Sequence, residues 1–169
     1  MAPRVVLVGA PGSGKSAVAG LLADRWRADM IETDTLVEAD AGMSVSDIFV
    51  AEGESGFRQR ETAAARAAPT TDDAVVVLGS GAVEDAVLRA ALTDQTVVFL
   101  AVGANEAGKR LGITGIRPAG LGPVRTRWNA MMNQRTPLYA EVATATVSTD
   151  NRTPADVADA VAALVEETS

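Results

Sequence analysis

The chain has no cysteine and no histidine. Without thiols it can form neither a disulfide nor a thiolate metal site. Without imidazole, the general base of any enzymatic reaction falls to a carboxylate, provided the scarce lysines are engaged elsewhere. They are scarce: Lys15 and Lys109 are the only two in 169 residues. Long apolar runs are missing too. No stretch approaches the roughly 18 residues of a membrane span, and the N-terminus leads straight into an apolar strand pattern rather than a secretory signal. A cytoplasmic protein with no membrane contact is expected. One further absence is local. From Ala107 to Ala140 there is no acid, but there are six basic residues: Lys109, Arg110, Arg117, Arg125, Arg127 and Arg135. That segment carries +6 in a chain of net charge −7. The overall acidity argues against general nucleic-acid binding. The cationic island within it reads either as a site for small anions or as a solvated helix face.

What is present organises itself around Gly9-Ala10-Pro11-Gly12-Ser13-Gly14-Lys15-Ser16. This octapeptide follows the apolar run Val5–Val8 and precedes a helical pattern from Ala17. A buried strand, a glycine-rich turn and a helix start are the setting that a phosphate-cradling P-loop requires. The turn aims successive backbone N–H groups at an anion, and the helix adds its positive end. One of the two lysines occupies the motif slot, from which it reaches the outer phosphates, and the Ser16 hydroxyl is placed to ligate a phosphate-bound Mg²⁺.

Strand and helix patterns then alternate. Strands are expected at 29–33, 74–78, 96–100 and 143–148 after the first at 5–8, and helices at about 15–27, 34–41, 44–67, 84–93, 104–111 and 124–135. The long third helix is expected to break near Gly53 and Gly56, and Ser44-x-x-Asp47 to cap its start. Residues 112–123 hold four glycines and two prolines and read as a mobile loop. Thr153-Pro154-Ala155-Asp156 opens a C-terminal helix whose apolar stripe is Val157, Val161, Leu164 and Val165. The reading is a single-domain α/β fold: a five-stranded, doubly wound parallel sheet flanked by helices, with ligands at the carboxyl ends of the strands. Trp26 and Trp128 are expected in the core or an interface rather than as base-stacking platforms.

Several clusters bear chemistry. Glu32 and Asp34, two positions apart at a strand end, point the same way if the strand persists. One would support Mg²⁺ and the other would take the proton of a substrate hydroxyl, unless Asp34 merely caps the next helix. Arg58 lies three residues before Glu61, so it is either held for bidentate capture of an anion or engaged in a surface ion pair. Gly79-Ser80-Gly81 follows a buried strand, as a plain turn or as backbone approaching a ligand. Arg117, within the glycine-proline loop, is the natural charge for a lid to bring over phosphates.

With these residues assembled, the chain resembles the shikimate kinases, small P-loop enzymes that phosphorylate the 3-hydroxyl of shikimate with ATP, on the route to chorismate and the aromatic amino acids. The likeness runs over nearly the whole chain. It implies a P-loop kinase fold, with a substrate-binding segment at about 32–61 and a lid at about 112–124. ATP is implied to contact Gly12, Ser13, Gly14, Lys15, Ser16, Ala17, Arg110, Arg117, Arg152 and Pro154, with Arg110 and Pro154 sandwiching adenine. Shikimate is implied to meet Asp34, Phe49, Phe57, Arg58, Glu61, Gly79, Ser80, Gly81 and Arg135. Arg135 opens Arg135-x-Pro137-Leu138-Tyr139 and joins Arg58 on the substrate carboxylate. Asp34, Lys15 and Arg117 carry the catalytic roles, and Ser16 and Glu32 the Mg²⁺, in an enzyme expected to be a monomer. Two positions depart from the family pattern: Glu32 stands where an aspartate is usual, and Ser80 interrupts a usual glycine triplet. Both bear on catalytic efficiency more than on what is bound. A kinase of another anionic polyol, such as gluconate, and a weakly catalytic nucleotide-binding regulator are the alternatives; a GTPase lacks support, since no N-K-x-D motif is present.

Overall fold

The computed structural model of the protein describes residues 2–111 and 118–168, with backbone alone for 118–125. Five parallel strands, β1 (Val5–Val8), β2 (Met30–Glu32), β3 (Val75–Val77), β4 (Val97–Ala101) and β5 (Ala145–Ser148), form one sheet in the order β2-β3-β1-β4-β5. β1 sits in the middle, with Val6 in register with both Val76 of β3 and Val97 of β4. Central parallel strands are buried on both faces, which is why β1, β3 and β4 are continuous apolar runs. Their alternation divides the core in two. Val6, Val8, Val76 and Phe99 face one side; Val5, Leu7, Val75, Val77 and Leu100 face the other.

The helices cover these faces. α1 (Lys15–Trp26) and α7 (Pro154–Glu167) pack over the Leu7 side through Val18, Leu22, Val157, Val161 and Val165. The other side is covered from α3 (Val45–Ala67), α4 (Ala86–Ala91) and α6 (Pro118–Val142), through Ala65, Leu88, Met132 and Tyr139. α2 (Thr33–Ala41) and the first half of α3 enclose a small third cluster of Val37, Ile48 and Phe57, and α5 (Ala104–Arg110) follows β4. The start of α7 is the expected one: the Thr153 hydroxyl accepts from the Asp156 N–H, and the Asp156 carboxylate accepts in return from the Thr153 N–H. The Ser44 hydroxyl caps α3 through the Asp47 N–H at 3.1 Å. Trp26 and Trp128 are half-buried against the two clusters, as expected.

Four expectations need correction. The second strand stops at Glu32, and Thr33 already begins α2 without a loop. Asp34 therefore sits in the first turn of a helix, neither on an extended strand beside Glu32 nor at the cap position, which Glu32 occupies. An acid there is favoured by the positive end of the helix. The break in α3 is at Gly53 alone, at φ 73°, while Gly56 stays helical. α4 is shorter than 84–93, because a 3-10 turn over Ala82–Glu84 precedes it and Asp85 caps it. Lastly, the helix expected at 124–135 runs from Pro118 to Val142, so the second half of the expected 112–123 loop is helical. Proline suits the first position of a helix. Pro137 is an interior proline, and it withdraws the N–H that the Asn133 carbonyl would receive. Burial of Tyr139 and Val142 beyond it offsets that loss, at about 1.5–3 kcal/mol for a large apolar side chain.

Candidate active site

The P-loop, Glu32-Thr33-Asp34 and Gly79-Ser80-Gly81 each lie at the carboxyl end of a strand, where an open α/β sheet binds its ligands. The P-loop leaves β1 and turns into α1 through Gly14, at φ 86°. This left-handed backbone favours glycine and leaves the helix N-terminus free of any side-chain cap. Lys15 folds back over its own loop, donating to the carbonyls of Gly9 (2.8 Å) and Ala10 (3.0 Å). Burial lowers its pKa from 10.5 to about 8; Asp34 and Glu32 pull the other way, and Arg135 adds to the lowering. Ser16 donates a hydrogen bond to Glu32, so the two predicted metal-holding oxygens are in contact.

A cleft of about 340 Å³ extends from the P-loop toward α7. Its walls include Ser13, Gly14, Ala17, Arg110, Arg152 and Pro154, six of the residues assigned to nucleotide in the sequence. The Arg110 guanidinium is pinned flat by the carbonyls of Gly12 (3.1 Å) and Thr149 (2.7 Å) and by the Thr149 hydroxyl (3.0 Å). Thr149, Glu106 and Val157 line the same cleft and were not assigned to nucleotide in the sequence. Thr149 has a positional signal, since it directly follows β5.

The second group of residues gathers across the P-loop from this cleft. Arg58 on α3 donates to Glu61 at 2.8 Å, and Glu61 is only 4% exposed, so this is not the solvated ion pair allowed by the sequence. Phe57 is buried behind it and contacts Phe49, with ring centroids 4.7 Å apart. Arg135 on α6 is 5% exposed. Its Nη1 lies 3.0 Å from Met131 Sδ and 3.5 Å from Ser80 Oγ, while its Nε is 3.5 Å from Glu84 without a hydrogen bond. A buried guanidinium with partners this weak retains donors for an incoming anion.

Gly79-Ser80-Gly81 is the point on which these cations converge. A Cβ on Gly81 would collide with the Arg58 guanidinium and lie 3.1 Å from Arg135 Nη2, so both arginines press against one Cα. A Cβ on Gly79 would lie 2.6 Å from Glu61 Oε2. A side chain at either outer position would therefore displace the Glu61 carboxylate or the Arg58 guanidinium from its present place. Ser80 is not among the described residues with positive φ, so the middle position accepts a side chain.

Asp34 is near enough to Glu32, Lys15, Glu38 and Arg58 for each to act on its ionisation. Its pKa is raised, first by burial and then by Glu32. The neighbouring Thr33 was missed in the sequence. It is 1% exposed, and its hydroxyl accepts the Gly79 N–H at 2.7 Å, tying the turn that carries Asp34 to the tip of β3. Nothing in the sequence distinguishes this threonine from a solvent-facing one. The expected lid cation, Arg117, lies outside the described residues.

A doubly wound sheet of this strand order, with a P-loop on its central strand and two arginines meeting at the loop after β3, is that of the P-loop kinases of small molecules. A model of the shikimate kinase family matches residues 11–166. A shikimate kinase of Thermobifida fusca is 42% identical over 160 residues, spanning 95% of this chain and 93% of that protein. One of Streptomyces coelicolor is 43% identical over 165 residues, or 98% and 96% of the two chains. Among solved structures, the shikimate kinase from Acinetobacter baumannii in complex with shikimate superposes with a TM-score of 0.88 at 28% identity, covering 100% of this chain and 95% of that one. The chain belongs to the shikimate kinase family.

Proposed function

We infer that this chain transfers the γ-phosphoryl group of ATP to the 3-hydroxyl of shikimate, as a cytoplasmic monomer. The observation that carries the reading is the meeting of Arg58 and Arg135 at Gly81, within electrostatic reach of Asp34 and Lys15. Two guanidiniums against one backbone position suit a carboxylate, which each can grip with paired donors. Phe49 and Phe57 offer an apolar wall to a ring. Asp34 is within electrostatic reach of both Arg58 of that clamp and Lys15 of the P-loop, and its assigned task is to orient the hydroxyl and take its proton as the phosphoryl group arrives. Burial and Glu32 raise its pKa, which brings its basicity closer to the operating range.

On the nucleotide side, Lys15 exchanges the Gly9 and Ala10 carbonyls for phosphate oxygens, and its lowered pKa is restored by their charge. Gly12, Ser13 and Gly14 supply backbone N–H groups, Ala17 and Arg152 border the nucleotide, and Arg110 and Pro154 flank adenine. Ser16 and Glu32 suit Mg²⁺, being hard oxygen donors in contact with each other. Among the described residues no cluster of three or more acidic or imidazole ligands exists, so phosphate and water would complete the shell. The ion, when bound, neutralises charge on the transferring phosphoryl group. Arg117 is assigned the same task from the lid. Glu32 reaches the Ser16 hydroxyl and Ser80 is not among the described residues with positive φ, which weighs against a purely regulatory role.

The experiment is ADP release measured with a panel of shikimate, gluconate and related hydroxy acids. Turnover dependent on shikimate is expected. ATP binding without shikimate-dependent turnover refutes the reading, and turnover on gluconate instead moves it to the alternative kinase.

A further inference from the structure

Tyr139 is the only tyrosine in the chain and is fully buried. Its ring packs on Phe99 of β4, with centroids 5.0 Å apart, so apolar burial alone accounts for its presence. It does not account for the hydroxyl, which donates to the Ser80 carbonyl at 2.6 Å across 59 positions of sequence. Burial pushes the phenol up to about 12, so it remains a donor throughout the working pH range. The acceptor belongs to the loop whose Gly81 abuts Arg58 and Arg135, and Arg135 lies one helical turn before Tyr139. Between them is Pro137, which deprives α6 of a backbone hydrogen bond at the place where the helix must hold its register against the loop.

We propose that Tyr139 is a positioning residue: its hydroxyl fastens α6 to the Gly79–Gly81 loop and so sets Arg135 against Arg58 for the acid substrate. The proposal rests on the reading of this meeting point as the acid site. The same hydroxyl also hydrogen-bonds Arg135, whose other partners are long or weak: the Met131 thioether, the Ser80 hydroxyl at 3.5 Å, and Glu84, 3.5 Å from an Nε that makes no hydrogen bond. A phenol that merely filled space would stabilise the fold and leave substrate recognition alone. A phenol that locks helix to loop acts on one substrate only, because the nucleotide cleft is lined from α1, α5, α7 and the end of β5.

The test is Tyr139→Phe in the full chain, with each substrate varied in turn. KM for shikimate is expected to rise about tenfold, the effect of one lost buried hydrogen bond. KM for ATP should stay within about twofold. A shikimate KM within about twofold of wild type overturns the proposal. So does a loss of thermal stability in which both KM values move together, since that is the signature of packing alone. Phe99→Leu serves as the control: it removes the ring contact, keeps the hydroxyl, and should lower Tm without splitting the KM values. Should Tyr139→Phe fail to fold, biosynthetic replacement of this single tyrosine by a ring-fluorinated analogue keeps the hydroxyl and yields one fluorine resonance. That resonance is expected to shift on addition of shikimate without nucleotide, and an unmoved resonance in a sample that still turns over shikimate overturns the proposal. If the wild type accepts another acid of the panel, the shikimate reading falls by itself, and the same KM split and resonance shift are read with that acid.

Discussion

Lys15 and Arg110, beside the proposed nucleotide cleft, rest chiefly on backbone carbonyls, with two hydroxyls and the Glu106 carboxylate beside them, whereas Arg58 and Arg135, at the proposed acid site, are held by side chains. Lys15 is positioned by the local course of the chain, whereas Arg110 reaches Gly12, 98 positions away, and Thr149, 39 positions away. The loop after β1 brings its own carbonyls to Lys15, and the turn after β5 brings Thr149 to Arg110. The second pair depends on α2, α3, β3 and α6 meeting correctly, through Glu61, Thr33 and Tyr139. The phosphate-binding part of the nucleotide half is thus built into one motif, while the placement of Arg110 and the whole of the acid half exist only after the chain has folded. Variants on the two sides should therefore separate cleanly in their kinetics.

The sharpest break is Asp34→Asn. It should lower kcat on shikimate by about 10²–10⁴, the usual weight of a general base, and leave ATP binding intact by calorimetry. Because burial and Glu32 raise the pKa of Asp34, its ionised form opposes folding above the ordinary carboxylate range. Tm at pH 7 should accordingly hold or rise in the variant. Next is Arg135→Lys, which removes the fork but keeps the charge. KM for shikimate should rise about 10–100-fold with KM for ATP unchanged; equal movement of both would erase the distinction between the halves. Thr33→Val strands the Gly79 N–H in a buried site and should cost about 1–3 kcal/mol of stability along with a higher shikimate KM. Thr33→Ser should restore both, as read by thermal denaturation and steady-state kinetics.

A pH titration probes the nucleotide half. With its pKa lowered to about 8, Lys15 loses its charge in the free enzyme as pH rises through that value. ATP affinity should then weaken by up to about tenfold per pH unit, and calorimetry at pH 8.5 in two buffers of different ionisation enthalpy should detect proton uptake on binding. The same shift sets a stability trend. Below pH 8 the buried charge opposes folding, and that cost fades between about 8 and 10.5. The smallest effect is expected from Thr153→Ala, which removes the cap of α7 and should cost about 1 kcal/mol with both KM values unchanged.

Much of this was legible in the order of the residues. The parallel sheet could be read from its apolar runs, the P-loop from its glycines and Lys15, and both helix caps from Ser44 and Thr153. Six residues assigned to nucleotide do line one cleft. The end of β2 was misread because Thr33 is equally at home in a strand, and its commitment to a helix is tied to the Gly79 N–H of a distant strand. The extent of α6 was misread because its proline and glycine content opposes a helix locally, while burial of Met132, Tyr139 and Val142 favours one.

The amino-acid order by itself determined the fold class, the phosphate-binding loop and the identity of the charged residues around it, since periodicity and turn chemistry act over a few neighbouring positions. It took the folded structure to bring Arg58 and Arg135 together at Gly81, to show that Ser80 is accommodated between Gly79 and Gly81, and to tie the loop to Thr33 and Tyr139. The Thr33 and Tyr139 hydrogen bonds join residues 46 and 59 positions apart, and a hydrogen bond over that span carries no trace in local sequence because it is specified by packing.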